Sequence, residues 1–526
     1  MLNILTEPLI GMTTAEGTRP VSLPEVYAVL MADEVEAFPA LRPHQRHAWH
    51  ASLVQLAAMA MHRAGVAEPP ADEVEWAGLI RGLTADWTDD EPWQLVVDDI
   101  TKPAFMQPPA RSADKLAEYK SRVETADELD MLVTSKNHDL KATVGAQSGV
   151  DDWIYALISL QTMEGFGGAG NYGISRMNGG LGSRPAFSMA PTGRVGAHVK
   201  RDIRALLDNY PTTGGGHRLL WLLSWDGTAS ERLLPNQLAP HYIEVCRRVR
   251  LRSDADGRLY AVRTSTKAAR IEGKDLKGRT GDPWTPHNPN RDGLPLTISR
   301  GGFNYKRVTE YLFDWQNPDL LKATPDEQRS NDPDETMQLV ARAMVRGQGK
   351  TEGYYERVIP IRSKKALRGM TRRPGSDSTE DLGNLAQERI KEVGIVQGIL
   401  RHAIATFLAR GESRETSPEQ RALANPWANR LDEIVDADFF DALQVEFEHN
   451  DRAERERVRN EWLMNGRDGV VDHARNILDE AVDSLPCPAV HRYRARENAE
   501  GLFEGRIRRS GGLPFLFDRT NFEVTK

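Results

Sequence analysis

Nine residues from Gly165 to Gly173 contain five glycines, and Gly168-Ala169-Gly170-Asn171-Tyr172-Gly173 matches the pattern G-x-G-x-x-G. That pattern holds a dinucleotide when a strand leads into it and an acidic residue follows about 20 positions later. Here a helical stretch leads in, and Arg194 stands in the downstream neighbourhood. Two other uses of such a run stay open. It can be a structural turn, or a place where backbone lacking Cβ atoms comes close to a phosphate or a nucleic-acid groove. Gly349-Lys350-Thr351 has the ending of a phosphate-binding loop, but Met344 stands where that motif requires glycine.

Three histidines, His44, His47 and His50, recur at intervals of three on a helical stretch. Two of them fall close enough to share a metal, yet no Glu sits in H-E-x-x-H register, and the trio reads as solvated polar residues on a helix. No metal ligand and no catalytic residue is assigned, because no complete triad, paired-carboxylate or metal-nuclease arrangement stands out. From Cys246 to Arg279 eleven Lys and Arg face four Asp and Glu, a local surplus of seven positive charges suited to phosphates. The polar run Thr134-Ser135-Lys136-Asn137-His138-Asp139-Leu140-Lys141 mixes donors with two lysines, as backbone and base-edge contacts require. An ordinary solvated loop is the alternative for both.

The elements that must position these residues are legible in part. Ser22 with Glu25 three positions on, and Pro24 between them, marks a helix start. Apolar residues within 43–63 (Leu53, Leu56, Met59, Ala60) predict a core helix ending before Gly65, and 151–163 predicts the helix that feeds the glycine run. Leu219 to Leu223 and Tyr242 to Val245 read as strands or short helices of a mixed α/β body. A turn-rich segment, Arg368 to Asp381, reads as a linker. Beyond it, stripes at Ile390, Val393, Val396, Leu400, Ala403, Phe407 and at Val471, Ala474, Leu478, Ala481 predict helices, with further ones over 439–462 and 493–503. The expected class is α+β: a large mixed α/β N-terminal domain over 1–367, a linker over 368–384, and a C-terminal four-helix bundle over 385–526.

The whole chain of 526 residues carries 68 Lys and Arg against 76 Asp and Glu, a net charge of −8, so any attraction to nucleic acid must be local. Charged residues at 27% and hydrophobic ones at 40% are ordinary for a folded protein of several domains. Two cysteines exclude a disulfide framework and a four-thiolate zinc site and fit a reducing cytoplasm. Neither an export signal nor a membrane span is expected.

Four segments in this order carry a resemblance: Pro103-Ala104-Phe105-Met106-Gln107, Leu132-Val133-Thr134-Ser135-Lys136-Asn137-His138-Asp139, Gly165-Phe166-Gly167-Gly168, and His241-Tyr242-Ile243-Glu244-Val245-Cys246-Arg247-Arg248. Together they resemble the large-subunit family, CasA, of the type I-E CRISPR surveillance complex Cascade. The resemblance implies a subunit without catalysis or cofactor that reads the protospacer-adjacent motif in duplex DNA, helps open the target and helps recruit a helicase-nuclease. It places Leu132, Val133, Thr134, Lys136, Asn137, His138 and Lys141 near the 5′ end of the guide RNA. Gly165, Phe166, Gly167 and Gly168 would approach the minor groove of the motif. A lysine before Trp284 would act as a groove finger, Lys274 first, then Lys267 and Lys277. A strand-separating wedge would fall at Gln348, Lys350 and Thr351. Some members carry a cysteine cluster after the Cys246 position; this chain has none, so no zinc is carried over. The rival readings are a nucleotide-dependent enzyme using the glycine loop, and a helical adaptor that binds no nucleic acid.

Overall fold

The computed structural model describes residues 2–130, 148–165, 167–174, 184–193, 195–211, 215–273, 275–315, 320, 322, 336–347, 350–371 and 381–517. Packing divides the chain into two compact units, Met1–Phe303 with Trp315–Pro360, and Asn304–Asp314 with Ile361–Lys526.

In the first unit β1 (Ile10–Thr14) and β2 (Gly17–Val21) form a hairpin. Ser22 ends it and caps α1 (Leu23–Met31), its hydroxyl accepting from Glu25 N at 3.2 Å with Pro24 in the first turn. The centre of this unit is α2 (Arg46–Ala64), buried without a break from His47 to Met61 and closed by Gly65 in the left-handed region at φ 69°. Such a helix has no polar face to offer water. Around it pack α3 (Glu73–Gly82), then, after β3 (Ser121–Val123) and the single turn α4 (Ala126–Leu129), α5 (Val150–Met163). Past β4 (Ala186–Pro191), α6 (Val195–Asp208) packs on α2 as well.

The strands form small separate sheets. A short parallel pair joins β5 (His217–Leu219) to β6 (Leu238–Ile243), and β7 (Arg248–Ser253) runs antiparallel to β8 (Leu259–Thr264), with β3 on the far side of β8. Another pair is β9 (His287–Asn288) with β10 (Leu294–Pro295). β11 (Met337–Gly347) lies between β4 and β12 (Lys350–Ile361), its Met337 opposite Pro191 and its Arg342 opposite Ala186.

The second unit is helical. It takes α7 (Tyr305–Phe313) from the middle of the chain and continues with α8 (Lys364–Thr371), α9 (Leu382–Leu408) and α10 (Pro418–Glu448). After these come α11 (Arg452–Leu463), α12 (Val470–Ser484) and α13 (Ala489–Ile507). The four long helices α9, α10, α12 and α13 make the bundle: α9 packs on each of the other three, and α10 on α12. The stretch 439–462, expected as one helix, is two. α10 stops at Glu448, and Asp451 caps α11 by accepting from Glu454 N at 3.2 Å. The first two-thirds of α10 escape the sequence reading because Pro426 lies inside it, whereas Ser417 and Gln420 form its capping box and Pro418 its first turn. Of the linker expected over 368–384, Arg368 to Thr371 finish α8, Leu382 begins α9, and 372–380 lie outside the described residues. No helix among the described residues is long and apolar enough to cross a membrane.

Candidate nucleic-acid interface

Gln161, the third residue from the end of α5, has no surface exposure and ties three segments together. Its amide group donates to Met106 O and to Arg247 O, each at 2.9 Å, and its carbonyl accepts from Cys246 N at 2.9 Å and Arg247 N at 2.8 Å. Met106 belongs to a tight turn closed by reciprocal bonds between Ala104 and Gln107. Gln107 is buried in turn, donates to Leu95 O and accepts from Leu251 N. Segments 103–107, 161–165 and 246–251 thus meet around two buried amides, each with its hydrogen bonds satisfied. A lone Gln in a helix or a turn gives no sequence signal, so this buried tie is visible only in the structure.

From this base the glycine run emerges. Gly165 is buried, Gly167 exposed and Gly168 half-buried; Phe166 lies outside the described residues. Gly167 N donates to Asn171 O at 2.9 Å and Asn171 N to Gly168 O at 3.0 Å, closing a narrow turn. Gly168 holds φ at 106° and Gly170 at 79°, values that side-chain-bearing residues avoid. The turn is then stitched to the segment after β8. Thr266 N donates to Gly170 O at 2.8 Å and the Thr266 hydroxyl to Tyr172 O at 2.8 Å. The next residue, Lys267, is exposed, and no hydrogen bond or ion pair from a described residue engages its ammonium. Lys277, also exposed, sits in the left-handed region at φ 49° in the turn that follows Gly273, itself packed on Ile174. Lys274 lies outside the described residues.

The basic run does not form one surface. Arg247, Arg248, Arg250 and Arg270 are buried, with exposures of 7%, 2%, 1% and 4%. Arg250 donates to the carbonyls of Lys102 and Val97 at 3.0 and 3.1 Å, and burial pushes its pKa down to about 10. Arg248 pairs with Glu118 at 3.0 Å. These charges brace loops, so only part of the positive surplus counted over 246–279 is left to meet phosphates. Arg258, Arg263, Lys267, Lys277 and Arg279 are the described members that face solvent. The residue types gave a charge count, whereas burial decides which charges reach water.

Leu132, Val133, Thr134, Lys136, Asn137, His138 and Lys141 all lie outside the described residues. What precedes them is firmly held: Asp130 accepts from His44 at 2.8 Å and from Gln45 at 2.9 Å, and Ala126 N donates to Ser148 Oγ at 2.9 Å. Gln348 is likewise outside, while Lys350 and Thr351 open β12, with two residues between it and the end of β11.

The three histidines are buried, not solvated. They fall on the buried stretch of α2 and the short turn before it, where His44 meets Asp130, His47 meets Trp284 and His50 meets Asp202. His50 and His198 both bond one oxygen of Asp202, at 2.8 and 3.3 Å, and Ser188 Oγ lies 3.1 Å from His198 Nε2. Arg201 donates to the other oxygen of Asp202 at 3.0 Å. Among the described residues this is the one group whose donor atoms converge closely enough for a metal ion. Its carboxylate already accepts three donors, one a guanidinium. Burial, reinforced by His50, pushes His198 down to about 4. With both carboxylate oxygens engaged, the cluster reads as a buried hydrogen-bond network.

Comparison with known proteins agrees with this architecture. No curated protein matches the chain by sequence. Among solved structures, CasA (Cse1) of Thermus thermophilus superposes with a TM-score of 0.63 at 15% identity, covering 96% of this chain and 98% of that one. Cse1 of Thermobifida fusca gives 0.62 at 15% identity, with 96% and 97% covered. A chain of a CRISPR RNA-guided surveillance complex gives 0.50 at 13% identity, with 96% and 99% covered. The family model for CRISPR-associated protein Cse1 matches residues 3–472. With that match spanning most of its length, the chain belongs to the Cse1 family of CRISPR-associated proteins.

Proposed function

We propose that this protein is a non-catalytic subunit of an RNA-guided CRISPR interference complex, and that it reads the protospacer-adjacent motif in duplex DNA through the glycine turn and a neighbouring lysine. One observation carries the reading: Thr266 pins Gly170 and Tyr172, which sets the exposed Lys267, whose ammonium no described residue engages, beside the glycine turn. Bare backbone can enter a groove, and an adjacent lysine senses its width and potential. Lys277 and Lys274 are the other candidates for the finger. Residues 132–141 would meet the guide near its 5′ end, and Gln348, Lys350 and Thr351 the separating strands. Membership of a larger assembly is supported by the likeness to a chain of a surveillance complex. In this division of labour the protein reads a short duplex motif and guide pairing reads the rest. The helical bundle would hold opened DNA or neighbouring subunits, including a helicase-nuclease recruited afterwards.

The test is to isolate the tagged chain from cells carrying its CRISPR locus and sequence the RNA that accompanies it. Spacer-derived guide RNAs are expected. Their absence, or DNA cleavage by the isolated chain in magnesium, manganese or zinc that a point substitution abolishes, would contradict the proposal.

A further inference from the structure

We infer that Arg247 is the positioning residue of the glycine turn: its guanidinium fills the inside of the Gly165–Gly173 segment and fixes the path along which the bare backbone is presented. The inference rests on the reading that this turn meets duplex DNA.

The side chain is aimed inward from a rigid base, since Gln161 holds both the N–H and the carbonyl of Arg247. Its Nη2 donates to Gly165 O at 2.8 Å and pairs with the Glu164 carboxylate at 3.2 Å; its Nη1 donates to Cys246 O at 2.9 Å and to Glu164 O at 3.4 Å. One planar fork therefore ties the residues that leave α5 to the Cys246 carbonyl, a geometry that an ammonium cannot reproduce. The glycines divide accordingly. A Cβ at Gly167 would stand 2.9 Å from Arg247 Nη2, and one at Gly173 would overlap Arg247 Nη1 and lie 3.0 Å from Gly165 O. A Cβ at Gly168 would meet nothing within 4 Å. Gly167 and Gly173 thus make room for the guanidinium, whereas Gly168 is bare toward the outside. A positive charge counted with the phosphate-contacting run acts here by shaping the neighbouring backbone.

The experiment uses the full chain, free and in the assembled complex, with Arg247→Ala, Arg247→Lys and Gly168→Leu. Hydrogen exchange at the Gly167 and Asn171 amides reports the turn directly and needs no DNA. Arg247→Ala and Arg247→Lys should each speed that exchange by about tenfold or more and leave exchange in α9 unchanged. In the complex both should lose most of the preference for motif-bearing over motif-scrambled duplex while keeping capture of single-stranded target. Millimolar guanidinium ion, entering the space vacated in Arg247→Ala, should restore both protection and preference, and equimolar urea should not. Unchanged exchange at Gly167 and Asn171 overturns the inference, as does a loss of single-strand capture equal to the loss on duplex. Faster exchange in the Arg247 variants, with duplex preference intact in these and in Gly168→Leu, upholds the brace and overturns the duplex reading instead.

Discussion

A Cβ at Gly168 would meet nothing within 4 Å, but φ 106° strains any residue that carries one, so substitution both distorts the turn and blocks what approaches from outside. Gly168→Leu should weaken capture of motif-bearing duplex much more than capture of single-stranded target, because guide pairing remains possible when groove approach is blocked. Binding of both targets by the assembled complex checks this, and equal losses would indicate a folding defect. A second residue-scale expectation comes from His198. Held at about 4 by burial and by His50 against the pull of Asp202, it stays neutral in the folded chain, while the unfolded chain takes up that proton near 6.5. The unfolded state therefore binds more protons in this window, and stability falls as pH drops from about 6.5 to 4, by as much as about 3 kcal/mol. Burial alone would raise Asp202, but His198 and His50 hold it well below the usual carboxylate range, so it adds to the fall at still lower pH. Urea midpoints at pH 7 and pH 4.5 should show the loss, and His198→Gln should reduce it. The glycine run, Lys267 and Lys277 were legible as candidates from residue type. The histidines were misjudged because their spacing says nothing of a helix enclosed on every side.

Between elements, the clearest case is the bundle. Arg389 on α9 and Glu446 on α10 pair at 2.7 Å with exposures of 0% and 1%, and Arg389 also donates to Ala442 O. Removing Glu446 leaves Arg389 buried with the Ala442 carbonyl and the Trp462 ring to meet its charge. Glu446→Ala should therefore cost about 3–5 kcal/mol, read from chemical unfolding. Glu456→Ala, which breaks the exposed pair with Arg452, should change stability little. The apolar stripes that announce α9 and α12 were plain in the sequence because their period is long and regular. β11 and β12 give a weaker signal: in β11 Gln338, Arg342 and Arg346 do fall on one alternate set, but Val340 and Met344 on the same set blur the period. The limits of α10 and α11 were lost to a proline inside one helix and a polar cap between the two.

For the molecule as a whole, the unexpected feature is that α7 packs with the C-terminal helices although it precedes β11 in the chain. The Tyr305 hydroxyl donates to Asp432 at 2.7 Å, Lys306 pairs with the same carboxylate, and Phe313 lies against Gly383. A fragment ending at Pro360 would leave the buried face of α7, including Val308 and Leu312, without its partners. Such a fragment should bind a hydrophobic dye and aggregate more readily than the full chain. Sequence reading placed the boundary by composition alone, and composition cannot show that a short helix is lent from one unit to the other.

The central claim, that this chain reads a duplex motif through its glycine turn and an adjacent lysine, is tested most directly by one binding ratio. The assembled complex is titrated with two duplexes that share a full protospacer and differ only in the flanking motif, at constant salt. The wild-type complex should prefer the motif-bearing duplex, and the preference should collapse in Lys267→Ala, or in Lys274→Ala or Lys277→Ala if the finger is one of those, while single-stranded target binds as before. Equal affinity of the wild-type complex for the two duplexes, or a preference that survives all three lysine substitutions and Gly168→Leu, would contradict it.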